Sequence, residues 1–240
     1  MTLKEYTKKR HFGVTPEPSG KKSGGKKESS LIFVVQKHRA TQLHYDFRLE
    51  WKGVLLSWAV PKGPSPDPSV KRLAMQVEDH PLDYANFEGV IPEGEYGGGT
   101  VMVWDHGTWT PESPDVDAAL AKGDLKFTLH GKKLKGSWVL VRTHGFGSSK
   151  PGKSWLLIKH RDQYASTEDI TAEKPRSAIS NKLLAEIAQA GGGDVEKAAT
   201  GDPVRKAARP AKSAAGKPAA KPVAAKNRPA RSRQRSRKAS

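Results

Sequence analysis

The chain has 240 residues, a net charge of +17, and only 35% hydrophobic residues. It is long enough for one domain with a real core, together with segments that lie outside that core. Because the sequence contains no cysteine, disulfides, thiol nucleophiles and thiolate metal sites are excluded, and any metal must be held by nitrogen and oxygen ligands.

The first segment, residues 1–30, is basic, with eight Lys/Arg against three Asp/Glu. Its last twelve residues, SGKKSGGKKESS, lack apolar periodicity and predict a flexible loop. The start has no apolar run of signal-peptide length, and no run of about 18 apolar residues occurs anywhere. We therefore expect a cytoplasmic protein that makes no contact with a membrane.

Residues 31–165 are predicted to be rich in β-strands. Short runs dominated by Val, Trp, Phe and Leu are separated by Gly, Pro and Asp, and no long helix intervenes. The runs are LIFVVQ, HYDFRLEW, VLLSWAV, RLAMQVED, GTVMVWD, LKFTLHG, GSWVLVRT and SWLLIKH. About eight such strands favour an antiparallel β-barrel or sandwich, a mainly β fold.

The remainder divides into a linker, residues 166–196, and a tail, residues 197–240. The linker contains four apolar residues at helical spacing, which predict one short amphipathic helix. They are Ile179, Leu183, Leu184 and Ile187. The tail carries 14 Lys/Arg against one Asp/Glu and consists mostly of Ala, Lys, Arg, Pro and Ser. Its composition predicts disorder, and its charge predicts contact with the backbone of a nucleic acid.

A polar stripe follows QKHRATQLHYDFRLE, residues 36–50. Because side chains alternate along a strand, His44, Asp46 and Arg48 share one face, while the apolar residues between them share the other. Five residues separate His38 from His44, so a hairpin would place the two histidines opposite each other, with Cβ atoms about 5 Å apart. Two imidazoles and a carboxylate at such separations can bind one metal ion.

The neighbouring residues extend this polar surface. Gln36 shares the face of His38, and Glu78 and His80 follow Gln76 at alternate positions, which predicts a third polar strand face. A lone His-Asp pair on a strand is more often a hydrogen bond than a metal site. Arg48 strengthens the metal interpretation, because a metal beside an arginine is common in phosphoryl chemistry.

Three long motifs resemble the 3′-phosphoesterase domain of bacterial DNA ligase D. They are FVVQKHRATQLHYDFRLEWKGVLLSWAVPKGPS, QVEDHPLDYANFEGVIPEGEYGGGTVMVWDHGTW and, near the start, YTKKRHFGVTPEP. The resemblance covers about residues 5–164. No ligase or polymerase motif is seen, so we expect a stand-alone member of that family.

The resemblance implies a compact β-barrel with a crescent-shaped active groove. It also implies manganese-dependent healing of 3′ ends in DNA repair by non-homologous end joining. The activity removes a 3′-terminal ribonucleoside, leaving a 3′-phosphate, and then removes that phosphate. The expected partners are DNA or DNA/RNA 3′ ends, together with Ku and a separate DNA ligase, in the bacterial nucleoid.

The resemblance also assigns roles to residues. His38, His44 and Asp46 match the metal ligands, whereas Arg48 and His80 match groups that contact the scissile phosphate. Arg10, in the leading segment within residues 1–30, matches a further phosphate-binding residue. Four more residues match positions on which the activity depends, namely Tyr84, Glu78, Gln36 and Glu17. Because Glu78 and Gln36 fall on polar faces, we expect them to orient the metal ligands. His80 is expected either to protonate the leaving oxygen or to hold the phosphate.

One position departs from the family pattern, in which an aspartate follows the leading arginine. Here that position is His11. We expect metal binding to survive and the phosphodiesterase step to be reduced.

Two alternative functions stay open at this point. The first is a barrel that has lost activity and acts as a DNA-end adaptor. The second is an iron(II)-dependent oxygenase whose facial triad is His44, Asp46 and His80.

Overall fold

Ten strands, five short α-helices and one 3₁₀ helix make up the part of the chain that the computed structural model describes, residues 3–20, 30–143 and 152–203. The strands are β1 Ile32–Arg39, β2 Leu43–Trp51, β3 Val54–Val60, β4 Lys71–Gln76, β5 His80–Pro81, β6 Gly89–Ile91, β7 Gly99–Pro111, β8 Asp124–Gly131, β9 Lys135–Arg142 and β10 Ser154–Lys159. The helices are α1 Lys4–Lys8, α2 Val116–Lys122, α3 Ile170–Glu173, α4 Leu184–Ala190 and α5 Val195–Ala199, and the 3₁₀ helix is Leu82–Asn86. Within these residues no helix is both long and apolar enough to cross a bilayer.

Eight of the strands close into an antiparallel barrel. They are paired in the order β1-β2-β3-β4-β10-β9-β8-β7, and β7 pairs back with β1. The two short strands add to this barrel from outside, β5 along β3 and β6 along β7. The predicted mainly β fold is therefore confirmed, and of the two predicted architectures, barrel and sandwich, the structure has the barrel. The eight predicted runs are the eight barrel strands.

The barrel interior holds the main hydrophobic core. Along β2, Tyr45, Phe47 and Leu49 alternate with polar residues and join this core, as their spacing predicts. Tryptophans contribute much of the volume, and Trp58 and Trp104 are fully buried. Large aromatic side chains of this kind bury the most apolar area per residue.

A second, smaller cluster covers part of the outside of the barrel. Val34 of β1 and Leu55 of β3 point outward and pack with Tyr6 of α1 and with Tyr84 and Phe87, which lie between β5 and β6. For this reason most residues of β1 and β2 are buried on both faces. Polar side chains on the outer face of these strands are thereby withdrawn from water.

The turn between β2 and β3 fixes how those strands align. Lys52 and Gly53 both have positive φ, 49° and 79°, which is the conformation of a tight two-residue hairpin turn. Gly53 adopts it at no steric cost. The resulting register places Ser57 of β3 directly opposite Arg48 of β2.

The C-terminal part of the described chain is more structured than expected. Helix α4 lies in the segment where one short helix was expected, but it begins only at Leu184. Before it, the Ser177 hydroxyl accepts the backbone N–H groups of Ile179 and Ser180, and Asn181 has φ of 58°. Helices α3 and α5 were not predicted. The tail boundary at residue 197 was wrong, because Ala198 is buried and Asp202 accepts the first N–H groups of α4.

Two predicted segments fall largely on residues that the structure does not describe. The flexible loop predicted for residues 19–30 lies outside the described residues over 21–29. The basic tail lies outside them from residue 204 onward.

Candidate functional site

The hairpin of β1 and β2 places the two predicted histidines opposite each other. His38 pairs with His44 in the strand register, and the centroids of their rings lie 4.8 Å apart. Asp46 is two residues further along β2 on the same outward face. The facing geometry predicted from loop length and alternation is therefore confirmed.

These three side chains bring potential metal ligands together. Asp46 Oδ2 lies 3.7 Å from His38 Nδ1, and Asp46 Oδ1 lies 3.6 Å from His44 Nε2. One donor atom from each residue lies within 4.8 Å of the others, and among the described residues this is the one such group of three. Bonds of about 2.0 to 2.2 Å to a common ion require donors slightly closer than this, so a small inward movement would suffice.

The outer nitrogen of each imidazole is held by a backbone carbonyl. His38 Nε2 lies 2.9 Å from Gly97 O, and His44 Nδ1 lies 3.0 Å from Gln42 O. A carbonyl only accepts, so these nitrogens carry the N–H, and in the neutral rings the nitrogens facing Asp46 present lone pairs. Lone pairs from three residues converge on one point, and this donor set fits a cation.

The carboxyl group of Asp46 is prepared for the same task. Burial alone would raise its pKa, but the neighbouring Arg48 guanidinium holds the pKa well below its usual range. The carboxylate is therefore negatively charged at neutral pH.

Arg48 lies beside this group and is fixed by four side chains. Its Nε donates to Gln36 Oε1 at 2.8 Å, and its Nη1 donates to Ser57 Oγ at 2.8 Å and lies 2.9 Å from His80 Nδ1. Its Nη2 donates to Asp46 Oδ2 at 3.2 Å. With only 2% of Arg48 exposed, its guanidinium is a buried, oriented cation next to the three potential metal ligands.

Arg10 approaches from the N-terminal segment on the other side of His80. Its Nη2 lies 3.2 Å from His80 Nε2, while its Nε donates to Glu17 Oε1 at 2.9 Å. Glu17 Oε1 also accepts from the Tyr84 hydroxyl at 2.9 Å, and Glu78 Oε1 lies 3.5 Å from Arg10 Nη1. Two carboxylates thus hold the second arginine in place, and the Tyr84 hydroxyl in turn holds Glu17.

His80 stands between two guanidinium groups, and this decides its charge. Burial, then the neighbouring Arg48 and Arg10, lower the pKa of His80 well below its ordinary value. The imidazole is therefore neutral at neutral pH, and in this arrangement it is not a ready proton donor.

Nine of the ten predicted site residues line one cavity of about 160 Å³ on the outside of the barrel. They are Arg10, Glu17, His38, His44, Asp46, Arg48, Glu78, His80 and Tyr84. The tenth, Gln36, lies behind Arg48 and donates its amide N–H groups to the carbonyls of Tyr84 and Phe87. Larger hollows of about 310 and 360 Å³ lie elsewhere on the surface and contain none of these nine residues.

Two details differ from the expectations. Gln36 and Glu78 contact basic side chains and not the potential metal ligands, because Gln36 accepts from Arg48 and Glu78 pairs with Lys9 and Arg10. The prediction of a third polar strand face was also wrong. Strand β4 ends at Gln76, whose side chain accepts from Trp155 Nε1, and Glu78 lies in the connection between β4 and β5.

Sequence reasoning missed several contributors to the site. Lys9 Nζ donates to Glu78 Oε2 at 3.0 Å and lies 3.3 Å from the Tyr96 hydroxyl. Ser57 supports Arg48, and the carbonyl of Gly97 orients His38. Ser57 carried a signal, since it alternates with core residues on β3. The backbone role of Gly97 left none in the sequence.

His11 lies apart from the cavity lining. Its side chain is 81% exposed, and its Nδ1 lies 3.1 Å from Glu95 Oε2. Neither residue is among those that line the cavity.

Comparison with known proteins shows which family this chain resembles. The model of the DNA ligase D 3′-phosphoesterase domain matches residues 36–142. The multifunctional non-homologous end joining protein LigD of Pseudomonas aeruginosa is 53% identical over 185 residues, which cover 76% of this chain and 22% of that protein. The multifunctional non-homologous end joining DNA repair protein LigD of Mycobacterium tuberculosis is 46% identical over 163 residues, covering 67% of this chain and 20% of the relative. The chain therefore spans about a fifth of the length of these curated relatives.

Proposed function

Since residues 36–142 belong to the DNA ligase D 3′-phosphoesterase domain family, we propose that this chain is a metal-dependent hydrolase that processes the 3′ ends of DNA during non-homologous end joining. In this proposal it removes a 3′-terminal ribonucleoside by phosphodiester hydrolysis and removes a 3′-phosphate by monoester hydrolysis, with manganese as the metal. The observation that carries the proposal is the convergence of His38, His44 and Asp46 beside two immobilised arginines in one cavity.

His38, His44 and Asp46 are the residues that would hold the metal. When bound, a divalent ion supplies Lewis-acid polarisation of a non-bridging phosphate oxygen. Two imidazoles and one carboxylate leave further coordination positions for phosphate and water, as phosphoryl chemistry requires.

The two arginines would bind the remaining phosphate oxygens. Arg48 and Arg10 line the same cavity as the three potential metal ligands, and they lie 2.9 and 3.2 Å from the two ring nitrogens of His80. Donors fixed before the reaction stabilise the charge that develops on the phosphoryl oxygens without a reorganisation cost. Gln36 and Ser57 orient Arg48, while Glu17 and Glu78 orient Arg10.

His80 would position Arg10 and not protonate the leaving oxygen. Its Nδ1 lies 2.9 Å from the Glu78 carbonyl oxygen, so this nitrogen carries the N–H of the neutral ring, and its Nε2 accepts from Arg10 Nη2 at 3.2 Å. Because burial and the two guanidiniums lower the pKa of His80, the ring has no acidic proton to give up at neutral pH. Tyr84 would act indirectly, because its hydroxyl is committed to Glu17.

DNA primers with modified 3′ ends test the proposed function directly. Primers that end in one ribonucleotide or in a 3′-phosphate are incubated with the full chain and manganese, or with a chelator. We expect ribonucleoside release and phosphate release that depend on the metal. An unchanged 3′ end with every divalent metal tried would remove the proposal and favour the inactive DNA-end adaptor.

The oxygenase alternative finds less support in the geometry. His80, the third member of its triad, has both ring nitrogens within 3.2 Å of guanidinium groups, and His38 takes its place beside His44 and Asp46. A cationic guanidinium at each ring nitrogen opposes binding of iron there.

Ku and a separate DNA ligase are the partners we propose within this role. A ligase needs a 3′ hydroxyl, which is the product of the proposed reaction. Co-precipitation from end-joining reactions, with and without DNA ends, tests whether either protein binds the chain directly.

Aspartate at position 11 should change the balance between the two proposed reactions. We expect His11→Asp to raise the rate of the phosphodiesterase step severalfold relative to the phosphatase step, because a carboxylate returns at the position where the family carries one. Manganese affinity should stay unchanged, since His11 lies outside the cavity lining. Both rates are measured on the ribonucleotide and phosphate primers. If neither rate moves, position 11 does not limit either step.

Removal of the basic tail should weaken DNA binding without harming hydrolysis. The deletion should begin after Pro203, because α5 and Asp202 pack on the described body. Residues 204–240 carry 13 Lys/Arg and no Asp/Glu. For each DNA phosphate that the truncated chain no longer neutralises, the slope of log affinity against log salt concentration becomes less negative by about 0.7 to 0.9. Fluorescence anisotropy with labelled DNA at several salt concentrations measures that slope. A truncated chain with the same slope and affinity would show that the tail does not contact DNA.

A further inference from the structure

The cavity is too small for a nucleoside. Its volume of about 160 Å³ accommodates a phosphoryl group with its surrounding ligands, whereas pockets that enclose whole organic ligands measure about 300 to 1,000 Å³. If the scissile phosphate lies between Arg48, Arg10 and the metal donors, the nucleoside attached to it must lie at the rim. What the rim offers to a base therefore decides how the end of a strand is held.

Tyr96 is the aromatic residue at that rim. It lines the cavity, yet 49% of it is exposed, and it belongs to neither hydrophobic cluster. Among the described residues, no aromatic ring packs against it. Tyr96 therefore presents an accessible aromatic ring beside the cavity, on which a base could stack.

Two basic side chains at the site contact the Tyr96 ring. Lys9 Nζ lies 4.6 Å from the ring centroid and 3.3 Å from the hydroxyl, and the guanidinium carbon of Arg10 lies 5.7 Å from the centroid. Contacts of this kind are favourable for the electron-rich face of an aromatic ring. The two cations restrain the ring, and 49% of the residue stays exposed to solvent.

The turn that carries Tyr96 is tied to the metal donors. Gly97, the next residue, accepts from His38 Nε2 through its carbonyl at 2.9 Å, and Gly98 N donates to Glu95 O at 2.9 Å. Gly97 has φ of 79°, a conformation that glycine adopts without strain. The position of the ring is thus coupled to the position of His38 through one peptide unit.

We infer that Tyr96 is the platform of a nucleobase-binding subsite. The base of the nucleotide whose 3′ oxygen carries the scissile phosphate stacks on the open part of the ring. This nucleotide is common to both proposed reactions, so one platform serves both. Stacking accepts any of the four bases, because every base has a π face, and it suits an enzyme that meets ends of arbitrary sequence. The inference rests on the proposed function.

A double-mutant cycle between the protein and the substrate tests the subsite. Tyr96→Leu is combined with two 3′-phosphate primers, one with a normal terminal nucleotide and one whose terminal nucleotide lacks its base. We expect Tyr96→Leu to lower kcat/KM on the normal primer by about 5-fold or more, mainly through KM, because one stacked base contributes at least that factor. On the abasic primer the same variant should change kcat/KM by less than about twofold.

Three further variants separate the ring from other roles of the residue. Tyr96→Phe keeps the ring and removes the hydroxyl that meets Lys9, and Tyr96→Trp enlarges the ring, so both should retain the preference for the normal primer. Tyr164→Leu is the matched control, because Tyr164 is 46% exposed and lines a different hollow. Equal losses of kcat/KM on both primers with Tyr96→Leu, or no loss on either, would overturn the inference.

A binding measurement separates this inference from the proposed function. With a chelator present, a primer carrying 2-aminopurine as its terminal base should lose fluorescence when it binds the full chain, and Tyr96→Leu should abolish that quenching. If the wild-type chain quenches but hydrolyses nothing with any metal, the subsite stands and the proposed function fails. If it hydrolyses the primer but quenching is the same in Tyr96→Leu, the subsite fails alone.

Discussion

Asp46→Asn should reduce metal-dependent hydrolysis of a 3′-phosphate primer by about 10³-fold, because a bound metal contributes several kcal/mol to phosphoryl transfer and each 1.36 kcal/mol is a factor of ten. The asparagine keeps the size of the side chain and an acceptor for Arg48 Nη2, so the barrel should stay folded. It removes the negative charge of the carboxylate that lies beside His38 and His44. Turnover at saturating manganese measures the loss.

The same variant should lose manganese affinity by at least about 100-fold, which is the upper range for loss of a residue that only supports a ligand. Isothermal titration of the ion measures this without any substrate. Asp124→Asn is the control, since Asp124 is half-buried at the start of β8 and lines no part of the cavity. Full metal affinity in Asp46→Asn would place the ion elsewhere.

Arg48→Lys should lower kcat on both 3′-end substrates by about 100-fold or more, as expected for a donor to the charge that develops in the transition state. Lysine keeps the positive charge but is a single ammonium, so it cannot replace the guanidinium contacts to Gln36, Ser57 and Asp46 together. Manganese affinity should change little. Single-turnover rates separate this effect from DNA binding.

Arg72→Lys is the matched control for Arg48→Lys, because Arg72 is a half-buried arginine on a barrel strand but lies outside the cavity. A cycle with Gln36→Met adds a test of positioning. Since Gln36 orients Arg48, the two changes should be strongly non-additive. Additive losses of kcat would mean that Gln36 acts independently of Arg48.

The barrel strands were predictable from the sequence because each is a run of apolar or alternating residues bounded by turn residues. β5 and β6 have two and three residues, too few for any period to show. Closure into a barrel depends on the pairing of β1 with β7, a contact between distant parts of the chain that no local pattern encodes. The start of α4 was missed because a serine hydroxyl and a left-handed asparagine outweighed the apolar spacing.

The candidate site divides in the same way. His38, His44 and Asp46 followed from loop length and alternation, which are local properties. Arg10 and Glu17 required the family resemblance, since the N-terminal segment reaches the site through contacts more than 60 residues apart in the chain. Shared strand faces predicted where Gln36 points but not which guanidinium it meets, because hydrogen-bond partners depend on three-dimensional packing.

The location of the cavity on the outer wall of the barrel has a consequence for the shape of the DNA end that we propose as its substrate. A pocket inside an eight-stranded barrel could not admit a double helix, because side chains fill the barrel interior. On the outer wall, a terminus that ends in a 3′-phosphate can stay base-paired to its complement, since only that phosphate has to enter the recess. The bulk of the helix then lies against the surface, and the barrel does not have to open.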